Sequence, residues 1–134
     1  MRGAPQCLLT RDDSMRVLAT RGDLLLTAQR GADAVASYDR YLARDSESPD
    51  SGVVQANRGW ARLIQGDAGG AAADLTAGLA RQPGYLEAWR LLGVAEESQG
   101  RRTEALAAYR SYQRNGGQAA EVQDAIDRLS AASR

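Results

Sequence analysis

The sequence contains no histidine and no lysine, and a single cysteine, Cys7. Without histidine, Ser-His-Asp and Cys-His catalysis are excluded, as is zinc held by imidazole. One cysteine supplies neither an internal disulfide nor a thiolate cluster. The strings G-x-x-x-x-G-K-[ST] and G-x-G-x-x-G are also absent, and with them the glycine loops that cradle nucleotide phosphates. Gly66-Asp67-Ala68-Gly69-Gly70 is rich in glycine but carries no lysine and follows no strand pattern, so it reads as a turn between helices. Paired carboxylates are the remaining route to chemistry. Glu96 and Glu97 are neighbours on a helix and point about 100° apart, which suits a solvated face. The chain therefore reads as a non-enzyme that needs neither cofactor nor metal.

Charge of one sign is missing as well. The 17 basic side chains balance 17 acidic ones, whereas a protein that grips a phosphate backbone carries a basic excess. No nucleic-acid partner is expected, although Arg58, Arg62, Arg90, Arg101 and Arg102 are the residues such a stack would use. The exclusive use of arginine has two readings: codon bias in a GC-rich genome, or bidentate anion contacts. No apolar run reaches the length of a membrane span. Only Met-Arg-Gly-Ala-Pro-Gln precedes Cys7, too little for a signal peptide. The expected compartment is the cytoplasm for the chain as given, or the periplasm or envelope if an upstream signal has been removed.

What is present is a period. The chain is 43% hydrophobic. Shifted against itself by 34 residues, it places Gly59 on Gly93, Gly66 on Gly100, Ala71 on Ala105 and Leu75 on Tyr109. A fixed period of this size marks stacked supersecondary units. Trp89, Leu92, Gly93, Ala105 and Tyr109 in one copy, with Gly59, Ala71, Leu75 and Pro83 in the copy before it, resemble the tetratricopeptide repeat, and the whole resembles bacterial members of that family. The resemblance covers roughly residues 15 to 117. It implies an all-α solenoid of about three antiparallel helix pairs. The expected repeats are 15–48, 52–85 and 86–117, followed by a capping helix at 118–132 and preceded by a tail at 1–13.

Local signals fill in the elements. Asp12, Asp13 or Ser14 offers an N-cap for a first helix, in which Val17, Leu18, Leu24, Leu25 and Ala28 share one broad apolar stripe. Gly22 marks close packing there. A second helix spans 32–43, where Ala34 and Tyr38 repeat the spacing of Ala105 and Tyr109. Asp45 to Gly52, containing Pro49, reads as a loop with about three extra residues, because Ala34 and Ala71 are separated by 37. The second helix of the middle repeat is built of small residues, from Gly69 to Gly78. It is expected to be tightly packed yet weak in helix propensity. Val122, Ile126 and Leu129 form the apolar face of the final helix, with Glu121, Asp124, Asp127 and Arg128 outside. Gly93 and Ala105 are expected where two helices cross, and Trp89 and Tyr109 between units.

The motif fails in instructive places. Gln55, Arg58 and Arg62 stand where the resemblance expects Trp, Leu and Tyr, and Glu96 replaces a second Tyr. The apolar stripe of this middle helix is instead Val53, Ala56, Trp60, Leu63 and Ile64. Two readings follow: the helix is rotated and Trp60 is core, or Trp60 stands in a groove. The resemblance implies a module that binds a peptide or helix of another protein in its concave groove. The candidate lining is Ala56, Asn57, Trp60, Leu63, Ile64, Glu87, Arg90, Val94 and Glu97. The alternative is a structural subunit, a homo-oligomer that self-associates through its repeats without a separate ligand. Some members of the family take a C-terminal carboxylate on lysine, arginine and asparagine. Here only Asn57 matches, so that activity is not carried over.

Overall fold

In the computed structural model, residues 11–131 are described, with side chains from residue 13. They form seven helices: α1 (Arg11–Thr27), α2 (Gly31–Arg44), α3 (Pro49–Ile64), α4 (Ala68–Arg81), α5 (Leu86–Ser98), α6 (Arg102–Arg114) and α7 (Ala120–Ala131). No strand occurs among the described residues. Consecutive helices pack on one another as three antiparallel pairs, and α7 closes on α6. The fold is an all-α repeat solenoid.

Two boundaries differ from the sequence reading. Asp12, Asp13 and Ser14 do not cap α1 but lie inside it, since the helix includes Arg11; of the tail expected at 1–13, residues 11–13 are therefore helical and residues 1–10 fall outside the described residues. The 45–52 loop is also shorter than expected. Pro49 opens α3 at its first turn, where its missing N–H is no loss. Ser48 caps the helix by accepting a bond from the Ser51 amide at 3.2 Å. The Ser51 hydroxyl donates back to the Asp45 carbonyl at 2.8 Å, and the Ser48 hydroxyl donates to the Asp45 carboxylate at 2.7 Å. These bonds, with the backbone amide of Glu47, hold the Asp45 carboxyl down at about 2.

Within each pair a glycine meets a ring or a branched chain. A Cβ added at Gly22 would fall on the Tyr38 ring, and one at Gly93 on the Tyr109 ring; at Gly59 it would meet Leu75 and the Ala71 carbonyl. Tyr109 thus fills the space inside its own pair, against Gly93, rather than the space between units. Trp89 does bridge units: it packs against the middle and the last core clusters, and its indole N–H donates to the Pro83 carbonyl at 2.9 Å. The small residues of α4 let backbones approach, with Gly78 set against the Gly52 carbonyl and Ala56. Val122, Ile126 and Leu129 of α7 are buried against Ala105, Tyr109 and Tyr112.

The arginines of α3 have their explanation here. Arg58 donates to both oxygens of Asp74 on α4, at 2.9 and 2.8 Å, and to Asp39 on α2 at 2.8 Å. Arg62 donates to Asp74 at 2.5 Å. The Asp74 side chain is only 5% exposed, so a buried acid holds two guanidinium groups where the motif would place apolar side chains. The hydrogen bonds it donates to Asp74 push the Arg58 guanidinium up from its ordinary value.

Candidate functional site

The odd-numbered helices form the inner side of the curve. α1 packs on α3 and α3 on α5, while no two even-numbered helices approach to that extent. First helices that touch and second helices that splay apart make the odd face concave. Adding the 37- and 34-residue offsets aligns Asp23, Trp60 and Val94 along it. The sequence-predicted residues fall on this face in different environments. Ala56 is buried in the middle cluster. Asn57 is 9% exposed. Trp60 is half-buried and packs against both the first and the middle cluster; Leu63 joins the middle one and Ile64 the first. Val94 packs against the last. The Trp60 ring wedges between the two cores while part of it stays open to solvent.

A hydrogen-bonded chain crosses the first two repeats. The Tyr38 hydroxyl donates to Asp23 Oδ1 at 2.5 Å, Asn57 Nδ2 donates to the same oxygen at 3.3 Å, and the Tyr85 hydroxyl donates to Asn57 Oδ1 at 2.5 Å. Both ends of the Asn57 amide are therefore engaged within the protein. Burial, with Asp23 next, pushes the hydroxyls of Tyr38 and Tyr85 up, so both remain protonated donors. Sequence reasoning overlooked Asp23, Tyr38 and Tyr85 as a unit. The signal available was the alignment of Asp23 with Trp60 by the 37-residue offset.

The far end of the face is charged and internally paired. Arg90 Nε donates to Glu87 at 2.6 Å, which raises the arginine's pKa. Glu97 accepts from Arg128 of α7 at 2.5 Å and from the Tyr109 hydroxyl at 3.0 Å. The hydrogen bond from Arg128 holds the Glu97 carboxyl below its ordinary value. Away from this face, on the side of α5 turned to Thr76 and Ala108, Arg101 pairs with the buried Glu96 at 3.0 Å. A polar depression of about 570 Å³ opens at the other end, lined by Met15, Arg16, Asp23, Asp45, Asp50 and Asn57, among others. Among the described residues there is no cluster of three potential metal ligands, and no helix is long and apolar enough to cross a membrane.

Comparison with known proteins follows the geometry. No curated protein sequence matches. In solved structures the chain is similar to the first TPR domain of Spaghetti bound to an HSP90 peptide, SRMEEVD, with a TM-score of 0.82 at 19% identity over 93% of this chain and 97% of that one. It is similar to the Sgt2 TPR domain of Aspergillus fumigatus, with a TM-score of 0.77 at 20% identity over 97% and 84%. It is also similar to the TPR2B domain of yeast Sti1 in its complex with pHsp70, with a TM-score of 0.78 at 18% identity over 88% and 97%. At these identities the likeness is one of fold. The tetratricopeptide repeat model itself matches residues 19–77 and 56–120. The chain belongs to the tetratricopeptide repeat family.

Proposed function

We propose that this protein is an interaction module that holds a segment of a partner protein along the odd-helix face, with an apolar side chain of the partner on Trp60. The observation that carries this reading is the half-open indole at the middle of the curve, flanked one repeat on by the Glu87–Arg90 pair. Tryptophan and arginine at the centre of a concave surface are the composition of a binding hot spot. The HSP90 peptide held by the Spaghetti domain and the pHsp70 complex of the Sti1 domain support the general class. The acidic peptide SRMEEVD is not the expected ligand. The cations facing the groove are already matched: Arg16 with Asp13, Arg90 with Glu87 and Arg128 with Glu97. A free acidic terminus would have to break one of these pairs, whereas an apolar side chain gains the indole without that cost.

Fluorescence anisotropy with a panel of labelled peptides tests this, SRMEEVD among them. An apolar-centred peptide should bind more tightly than SRMEEVD, and Trp60→Ala should weaken it by about thirtyfold, the size of a hot-spot loss. The same change should cost about 2 kcal/mol of stability, less than the 3–5 typical of a fully buried aromatic. Unchanged affinity on Trp60→Ala would remove the indole from the site.

A further inference from the structure

The repeat offsets also expose an unfilled position. Val17, Arg21 and Leu24 of α1 align with Val54, Arg58 and Ala61 of α3 and with Ala88, Leu92 and Ala95 of α5. In α3 this face is covered by α2: Val54 and Ala61 are buried with Ala34, Tyr38 and Tyr41. In α5 it is covered by α4: Ala88 and Ala95 are buried with Ala71, Leu75 and Leu79. In α1 no helix among the described residues covers it. Val17 is 54% exposed and Leu24 67% exposed, the large hydrophobic side chains left most open in the described chain. Together with Thr20, Leu25 and Ala28 they line an open apolar depression of about 680 Å³. The apolar stripe of α1 is thus really two stripes. Met15, Leu18 and Leu26 face the core, and Val17 and Leu24 face outward.

Charge indicates what fits there. Arg58, at the equivalent of Arg21, is neutralised by Asp39 on the helix stacked in front of it and by Asp74 on its own partner helix. Arg21 has neither. The position equivalent to Asp74 is Ser37, whose hydroxyl donates to the Leu18 carbonyl at 2.7 Å, and among the described residues no helix brings an equivalent of Asp39. Arg40 of α2 stands beside Arg21 at the same edge. A second copy is a poor match. Pairing α1 with itself would bring the Arg16 and Arg21 side chains of both copies together, and the exposed face of α7, with Glu121, Gln123, Asp124 and Asp127, offers no apolar stripe.

We propose that the outer face of α1 seats an amphipathic helix from another polypeptide, stacked as α2 stacks on α3, with a carboxylate delivered to Arg21. α2 supplies the template. Gly31 lies against Ala61, and Asp39, eight positions later, bonds Arg58. The incoming helix should therefore carry a small residue over Leu24, an aspartate or glutamate eight positions on, and apolar residues between them on the same face. This proposal rests on Val17, Arg21 and Leu24 and does not depend on the reading of Trp60.

The test uses the full chain and a labelled synthetic helix built on that pattern. Binding followed by anisotropy should weaken by about tenfold or more with Arg21→Glu or Leu24→Asp, and remain unchanged with Trp60→Ala. Reversing the acid of the peptide to arginine should restore binding to Arg21→Glu. Both altered side chains are exposed, so circular dichroism and melting of the variants should match the parent. The proposal is overturned if the peptide fails to bind, or if it binds the variants as well as the parent. It is equally overturned if the chain alone doubles in mass with concentration and Leu24→Asp abolishes that doubling, which would make a second copy the occupant.

Discussion

Asp74 carries an unusual share of the middle repeat. Its carboxylate accepts from Arg58 and Arg62 while almost fully buried, and both arginines replace side chains that the repeat motif would make apolar. Removing one partner of a buried ion pair leaves uncompensated charge inside the protein, which costs about 3–5 kcal/mol. Asp39 accepts from the same Arg58, but its side chain is half exposed; an exposed pair contributes at most about 1 kcal/mol. Asp74→Ala should therefore destabilise severalfold more than Asp39→Ala in urea unfolding. Equal losses would mean that Asp74 does not anchor the cluster. In the sequence, Arg58 and Arg62 were visible only as departures from the motif. Their partner lies on the next helix, and spacing along the chain does not show which acid a long arginine side chain will reach.

At the scale of elements, the turns repeat more faithfully than the helices. α1, α3 and α5 all end in the same closure. The amide of the residue after the turn bonds five positions back, Arg30 to Leu25, Asp67 to Arg62 and Arg101 to Glu96. The residue before it has positive φ: 61° at Gln29, 83° at Gly66 and 75° at Gly100. Two of the three are glycine because a side chain is strained in this conformation. Gln29 keeps the geometry at a cost, so Gln29→Gly should raise stability by about 1 kcal/mol; a lower urea midpoint would contradict the account. This level was also the most legible in sequence. Gly66, Gly100, Ala71, Ala105 and Tyr109 fix three-residue turns and crossing points by type alone. The start of α3 was not legible, since Ser-Pro-Asp-Ser signals a loop and a capped helix start equally well. Nor was the outward stripe of α1, because periodicity counts apolar faces without saying which neighbour covers each. The apolar stripe of α3 singled out Trp60, but the engagement of Asn57 by Asp23 and Tyr85 joins residues that only the stacking of repeats brings together.

For the molecule as a whole, the two ends of the stack are unequal, and pH reaches one of them. α7 packs on α6, and one charged contact ties it to α5, the 2.5 Å bond from Arg128 to Glu97. Because the folded protein holds the Glu97 carboxyl below its ordinary value, with Arg128 as the chief cause and the Tyr109 hydroxyl adding to it, this group stabilises the fold above the unfolded glutamate pKa of about 4.3. The contribution fades as pH falls from there through the lowered folded value. The consequence is local, since stability is distributed unevenly along a repeat stack. Hydrogen-exchange protection factors in α7 should fall between about pH 6 and about pH 3, in the direction set by this linkage. In Glu97→Gln they should already be reduced at the higher pH and change little further. If α7 in Glu97→Gln loses protection on acidification as steeply as the parent does, the pH dependence of that end belongs to other groups, and the tie from α5 to α7 is not what holds the last helix down.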